Sequence, residues 1–264
     1  MNDRPTVKEI DEILRNTPME RLGITCMYYR QDERESVRKL AEKYEKKLES
    51  FRRELARLDA MMLYERKYGD VAFIAGIDEA GRGPLAGPVV ASAVILPKDH
   101  PILYLNDSKQ LSEKRREELY EIIMRDALSV GVGSADEKTI DEINILNATY
   151  RAMKEAVSQL SPLPGLTLND AVTIPDLTFD GKKIRQVPIV KGDAKSLSIA
   201  AASVIAKVTR DRYMKETADR LYPEYGFAKH KGYGSSEHIE ALKKYGPCPI
   251  HRRSFLGSIL GEER

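Results

Sequence analysis

Apolar positions along this chain fall into two regimes that change near residue 68. Before that point the pattern is helical. A short apolar period runs from Val7 to Leu14 and ends near Pro18. Ser36 then reads as the N-cap of a long helix. Val37, Leu40, Tyr44, Leu48, Phe51, Leu55, Leu58 and Met62 recur there at spacings of three and four along a highly charged rod. Such a stripe needs a partner surface. Docking on the chain's own main domain is the expectation, with the first helix or another chain as the alternatives.

From Val71 onward strand and helix patterns alternate. Val71–Ile77, Pro88–Leu96 and Val130–Ser134 read as three early strands, with a helix opened by Ser112 before the third. Thr139 and Glu142 have capping-box spacing and start a helix to about Leu160. Leu166–Ile174 and Gln186–Val190 read as two more strands, and a long alanine-rich helix follows from about Leu197 to Leu221. A last helix begins near Ser235 or Ser236. This order predicts an α/β domain over residues 69–264 around a mixed five-stranded sheet, preceded by a helical extension over residues 1–68.

Composition narrows the class. No stretch of the 264 residues approaches the roughly 20 apolar positions of a membrane span, and the polar start, Met1-Asn2-Asp3-Arg4-Pro5, does not resemble a secretory signal. Cys26 and Cys248 stand far apart without metal-ligand spacing, which argues against a disulfide framework or a structural zinc site and fits a reducing cytoplasm. Net charge is only +2, but residues 182–253 carry 16 Lys and Arg against 7 Asp and Glu. A basic third of the chain suits a polyanionic partner.

The chemistry concentrates at strand ends. Ile74-Ala75-Gly76-Ile77 leads directly into Asp78-Glu79 and then into the turn Gly81-Arg82-Gly83. Burying carboxylates costs several kcal/mol unless they are paired or bound to a cation, and a hard divalent metal is a common reason to place them there. Glycines let backbone amides approach a phosphate or sugar closely. Asp170 lies within the fourth predicted strand and Asp193 just past the fifth. Singly, each of these acids also suits a turn or helix cap. Their convergence would make a site for Mg²⁺ or Mn²⁺, which take oxygen ligands, but spacing alone does not establish convergence.

Several motifs occur together and in order: Gly76-Ile77-Asp78-Glu79-Ala80-Gly81-Arg82-Gly83-Pro84, Asp107-Ser108-Lys109, Lys191-Gly192-Asp193-Ala194-Lys195-Ser196 and Lys231-Gly232-Tyr233-Gly234. From about Phe73 to Phe255 the chain resembles the bacterial ribonuclease HII family. The resemblance implies a ribonuclease H-like sheet and hydrolysis of the RNA strand of RNA–DNA hybrids. It also implies incision 5′ of ribonucleotides in duplex DNA, as in ribonucleotide excision, with two divalent ions bound. It implies a catalytic set of Asp78, Glu79, Asp170 and Asp193, with Asp78, Glu79 and Asp170 as metal ligands. Asn169 departs from the usual apolar residue before the third aspartate, so Asp176 and Asp180 remain candidates for that ligand.

The same resemblance implies that Gly81, Arg82 and Gly83 read the ribose 2′-hydroxyl and that Tyr233 stacks on the following deoxyribose. Ser108, Lys109, Lys191, Lys195 and Ser196 become expected phosphate contacts, which position a duplex without reading its sequence. Gln110 stands where the family often has a second lysine. His230, His238 and His251 read as solvated surface histidines rather than proton shuttles. A monomer acting without a membrane is expected. The competing readings are another metal nuclease on the same sheet, with ribonuclease HIII disfavoured by the Gly-Arg-Gly tripeptide, and a non-catalytic hybrid-binding protein.

Overall fold

The structure, a computed structural model, describes residues 4–98 and 101–261. Its contacts divide the chain into two compact units, one ending at Asp59 and the other beginning at Ala60.

The first unit is helical. Thr6 caps α1 (Val7–Asn16) through a reciprocal bond with Glu9, the Thr6 amide donating to the Glu9 carboxylate at 2.6 Å. Pro18 then caps a helix that the apolar period did not reveal, α2 (Met19–Tyr29). The long helix α3 (Glu35–Met61) starts just before Ser36. Val37, Ala41, Tyr44 and Leu48 of α3 bury against Ile10 and Leu14 of α1 and Leu22, Cys26 and Tyr29 of α2. The first half of the stripe therefore closes a core within this unit, and the expected docking on the main domain does not describe that half. Helix α4 (Leu63–Lys67) falls in the second unit.

The second unit is built on β1 (Ile74–Ala80), β2 (Val89–Ile95), β3 (Ser129–Ala135) and β4 (Leu166–Asp170). A small hairpin, β5 (Thr178–Phe179) with β6 (Lys182–Lys183), precedes the last sheet strand, β7 (Arg185–Ile189). The five-stranded order is β3-β2-β1-β4-β7, with β1–β4 and β4–β7 parallel and the β1–β2 and β2–β3 pairs antiparallel. The expected mixed five-stranded α/β sheet is what forms.

Helices cover both faces. Ser112 caps α5 (Glu113–Asp126), as its sequence predicts. Asp136, not Thr139, caps α6 (Glu137–Ser158), its carboxylate accepting from the Thr139 amide at 2.9 Å. Ser196 caps α7 (Leu197–Arg212), which continues through a π turn at Tyr213–Ala218 into α8 (Asp219–Leu221). No described helix is long and apolar enough to cross a membrane.

Side chains alternate across a strand, so β1 serves two layers. Ala75 and Ile77 join Ala152, Met153, Ala156 and Val157 of α6 in one core. Gly76 and Asp78 face α7. That helix is buried continuously from Leu197 to Ala206, and its alanines allow close approach. At Gly76 the approach is closest, since a Cβ there would lie 2.0 Å from the Ser198 carbonyl carbon. Gly76→Ala must therefore displace the first turn of α7. Overpacking of this kind costs about 1–3 kcal/mol or more, so thermal melting should show a clear loss of stability. Wild-type melting would contradict this account of the β1–α7 contact.

Candidate active site

Parallel pairing brings the acids together. Ile77 of β1 stands opposite Asn169 of β4, so the next residues, Asp78 and Asp170, emerge side by side at the carboxyl edge of the sheet. Asp170 pairs with Ile189, the last residue of β7. The chain then turns over left-handed Lys191 (φ 56°) into a short 3₁₀ turn, Gly192–Ala194, that carries Asp193. Oxygens of Asp78, Asp170 and Asp193, one from each carboxylate, lie within 4.8 Å of one another.

The end of β4 places Asp170, and not Asp176 or Asp180, beside Asp78 and Asp193. Ala171 adopts φ 55°, which stops the strand at Asp170 rather than at the predicted Ile174. Asp176 and Asp180 occupy exposed left-handed positions and lie outside the cluster. Asn169 is buried, and its amide donates to the Val172 carbonyl at 3.1 Å and to Gln186 Oε1 at 2.9 Å. The polar residue before Asp170 thus ties down the segment that follows it. Gly192 donates its N–H to Asp170 Oδ1 at 2.7 Å, and a Cβ on Gly192 would press within 2.6 Å of Ile199.

Glu79 follows Asp78 but is not one of the three converging acids. Its Oε1 accepts from Arg82 at 3.3 Å, while Oε2 is buried without a hydrogen-bond partner. Burial drives the Asp78 carboxyl well above its usual range, and the charges of Glu79 and Asp170 push the same way. Burial also raises Glu79, against the opposing pull of Arg82. Asp193 is raised by burial and then by Asp107 and Asp170. Burial disfavours the Lys109 ammonium, but Asp107, Asp78, Asp193 and Asp170 outweigh it and raise that pKa. A cage of clustered oxygens with one orphaned buried oxygen beside it fits a hard divalent cation.

Beside this anionic cage lies a turn held by buried cations. Arg252 donates to the carbonyls of Gly87, Arg82 and Gly81 at 2.9, 3.0 and 2.6 Å. Arg210 donates to Pro88, Lys231 and Ala86 at 2.8, 2.9 and 3.0 Å. Both side chains are fully buried. Burial and the neighbouring Arg210 charge bring Arg252 down to about 9, and burial lowers Arg210 too. Sequence reasoning did not single out either arginine. Arg210 shares the end of α7 with Lys207, Asp211 and Arg212, so nothing local marks it as the fully buried member. Gly81 (φ 94°) is required here, because a Cβ would meet Arg210 Nε at 2.1 Å. Gly83 differs, since a Cβ there would meet nothing within 4 Å.

The remaining expected contacts divide. Lys109, Lys191 and Lys195 are exposed, with Lys195 Nζ donating to the Val190 carbonyl at 2.9 Å. Ser108 and Ser196 are buried and committed within the protein. Ser108 bonds Ser203 at 2.7 Å, and Ser196 caps α7 while donating to Glu65 at 2.6 Å. Their hydroxyls shape the loops and are not offered to solvent. Tyr233 is 45% exposed, with Lys207 Nζ at 5.7 Å and the Arg210 guanidinium at 5.9 Å from its ring centre. The histidine expectation fails: His238 and His251 are buried and hydrogen-bonded to each other, and His230 stacks on His238. The three rings pack against Phe227 and Tyr225 from separate segments of the chain, which periodicity did not show.

Comparison with known proteins agrees with this geometry. Residues 75–257 match the family model described as ribonuclease HII, and residues 6–69 that of the ribonuclease HII N-terminal domain. Ribonuclease HII of Lachnoclostridium phytofermentans is 60% identical over 231 residues, 88% of this chain and 89% of that protein. The Clostridioides difficile protein is 53% identical over 262 residues, 98% of this chain and 100% of its own. The crystal structure of ribonuclease H2 from Pyrococcus horikoshii OT3 superposes with a TM-score of 0.59 at 30% identity, covering 72% of this chain and 97% of that one. The chain belongs to the ribonuclease HII family, metal-dependent endoribonucleases that hydrolyse the RNA of RNA–DNA hybrids.

Proposed function

We propose that this protein, acting as a monomer, also incises duplex DNA on the 5′ side of an embedded ribonucleotide, leaving a 3′-hydroxyl and a 5′-phosphate. The observation that carries this reading is the convergence of Asp78, Asp170 and Asp193 within 4.8 Å beside the glycine turn. Asp78, Asp170 and Asp193 hold divalent cations there, Mg²⁺ or Mn²⁺, and Glu79 offers its unpartnered oxygen as a fourth ligand. Two such ions, when bound, supply activation of water and stabilisation of the leaving oxygen.

The rest is recognition by the chain itself. Carbonyls of Gly81 and Arg82 are pinned inward by Arg252, which fixes the turn's backbone for contact with a 2′-hydroxyl. That hydroxyl is what distinguishes ribose from deoxyribose at one site, and a site built to bond it rejects the analogue lacking it by about 10⁴ or more. The open space at Gly83 leaves room for the sugar. Tyr233 offers an exposed ring for the next deoxyribose. Lys109, Lys191 and Lys195 attract the phosphates, so duplex affinity falls with salt. Ser108 acts indirectly: it bonds Ser203, which itself reaches Asp78.

The direct test is incubation with a duplex carrying one ribonucleotide, with and without Mg²⁺ or Mn²⁺, and mapping of the cut. A single incision 5′ of the ribonucleotide, dependent on the cation, is expected, whereas cutting at unmodified DNA or without a cation would refute the proposal. Asp78→Asn should abolish cleavage and leave hybrid binding intact. Folding raises the Asp78 pKa, so its contribution favours the fold at low pH and is lost as pH rises through the folded-state value. Metal-free Asp78→Asn should consequently melt at or above the wild-type temperature at neutral pH, and a lower melting temperature would contradict the electrostatics described.

Gly83→Ala separates packing from recognition. Its melting should match wild type because nothing in the protein opposes the new methyl. Cleavage at a single ribonucleotide should fall by about tenfold or more, as a small misplacement at a reacting centre commonly costs. Full activity would show that the sugar does not approach this glycine.

A further inference from the structure

The loop that carries Tyr233 is constrained at nearly every main-chain polar group. The Lys231 carbonyl accepts from Arg210 at 2.9 Å and the Gly232 carbonyl from the Leu85 amide at 2.8 Å. The Gly232 amide donates to His230 Nδ1 at 3.2 Å, and the Tyr233 amide to the His230 carbonyl at 2.9 Å. The Tyr233 carbonyl faces His238 Nδ1 at 2.9 Å. An exposed aromatic ring on so fixed a backbone is arranged for contact with something outside the protein.

Hydrogen-bond logic assigns the protons along this network. The Cys248 amide donates to His251 Nδ1 at 3.0 Å, which leaves the proton of a neutral ring on His251 Nε2. That proton points at His238 Nε2, 3.0 Å away, which must accept it. His238 therefore carries its proton on Nδ1 and donates to the Tyr233 carbonyl. Protonating His238 would set two N–H groups against each other. Burial keeps both rings below the ordinary imidazole range, with His251 at about 4. His230 follows the same rule, accepting from Gly232 and donating to the Tyr225 carbonyl at 2.8 Å.

We propose that His238 and His251 form a tautomer-locked relay of positioning residues that sets Tyr233 for recognition of the ribose–deoxyribose junction. The inference rests on the reading of Tyr233 as the ring that stacks on the deoxyribose after the ribonucleotide. The histidines touch neither substrate nor metal ligands in this scheme. They act through one carbonyl, and the ring they position decides how strongly a junction is preferred over a continuous hybrid.

The test compares full-length variants on two substrates, a duplex with one ribonucleotide and a uniform RNA–DNA hybrid, with melting curves as the control for folding. His238→Phe keeps a ring stacked on His230 but removes the side-chain donor, leaving the Tyr233 carbonyl only the Ser235 amide at 2.8 Å. The ratio of junction to hybrid cleavage should fall about tenfold. His238→Asn places an amide N–H near the position of Nδ1 and should restore most of that ratio. In a Tyr233→Ala background, His238→Phe should lower the ratio no further, the non-additivity expected of coupled groups. Should His238→Phe melt early, His251→Asn cuts the relay one bond away and should lower the ratio in the same direction. A folded His238→Phe or His251→Asn enzyme with the wild-type ratio, alongside a Tyr233→Ala enzyme that has lost it, overturns the relay. An unchanged ratio in Tyr233→Ala overturns the stacking reading instead.

Discussion

The structure depends on holding three like charges together. Asp78, Asp170 and Asp193 repel one another in a partly dehydrated edge, and only a rigid frame keeps them within 4.8 Å. Parallel pairing of β1, β4 and β7 supplies that frame, because it points the carboxyl ends of separate strands the same way. Other features follow from it. Gly76 lets α7 close over β1, Ser196 starts that helix directly after the Asp193 turn, and the Gly192 amide steadies Asp170. Stability given up to keep the acids close is what makes the edge receptive to a cation.

A second cluster of like charges balances the first in function. Arg210 and Arg252 are buried near one another and bond only main-chain carbonyls among the partners described. Their role is geometric. Between them they join the turn over residues 81–88 to the loop that carries Tyr233, so the groups proposed to read the sugar and those proposed to stack behind it move as one body. The hydrogen bonds of His238 to the Tyr233 carbonyl and to His251 add a further tie to the same loop.

Much of this was legible in the chain. The apolar run into Asp78-Glu79 and the glycine turn read directly as a strand end with chemistry, because alternation and turn composition are local properties. The alanine-rich α7 was legible for the same reason. What escaped depends on contacts distant in sequence. Asp170 could be separated from Asp176 and Asp180 only by the left-handed Ala171 and by its register with Ile189. The histidines looked solvated because nothing local shows that Phe227 and Tyr225 enclose them. Ser108 and Ser196 looked like phosphate contacts by chemistry, yet burial directs their hydroxyls inward. Helix α2 was hidden because its exposed Ile24, Met27 and Tyr28 blur the apolar period.

The central claim is that the carboxylates on neighbouring strand ends share a divalent cation. Calorimetric titration of Mn²⁺ into the wild-type, Asp170→Asn and Asp176→Asn proteins tests it without reference to cleavage. The account predicts that Asp170→Asn weakens binding by about tenfold or more, in the range seen when a metal site loses a supporting group, while Asp176→Asn binds like wild type. Equal Mn²⁺ binding by the Asp170→Asn and wild-type proteins would contradict it.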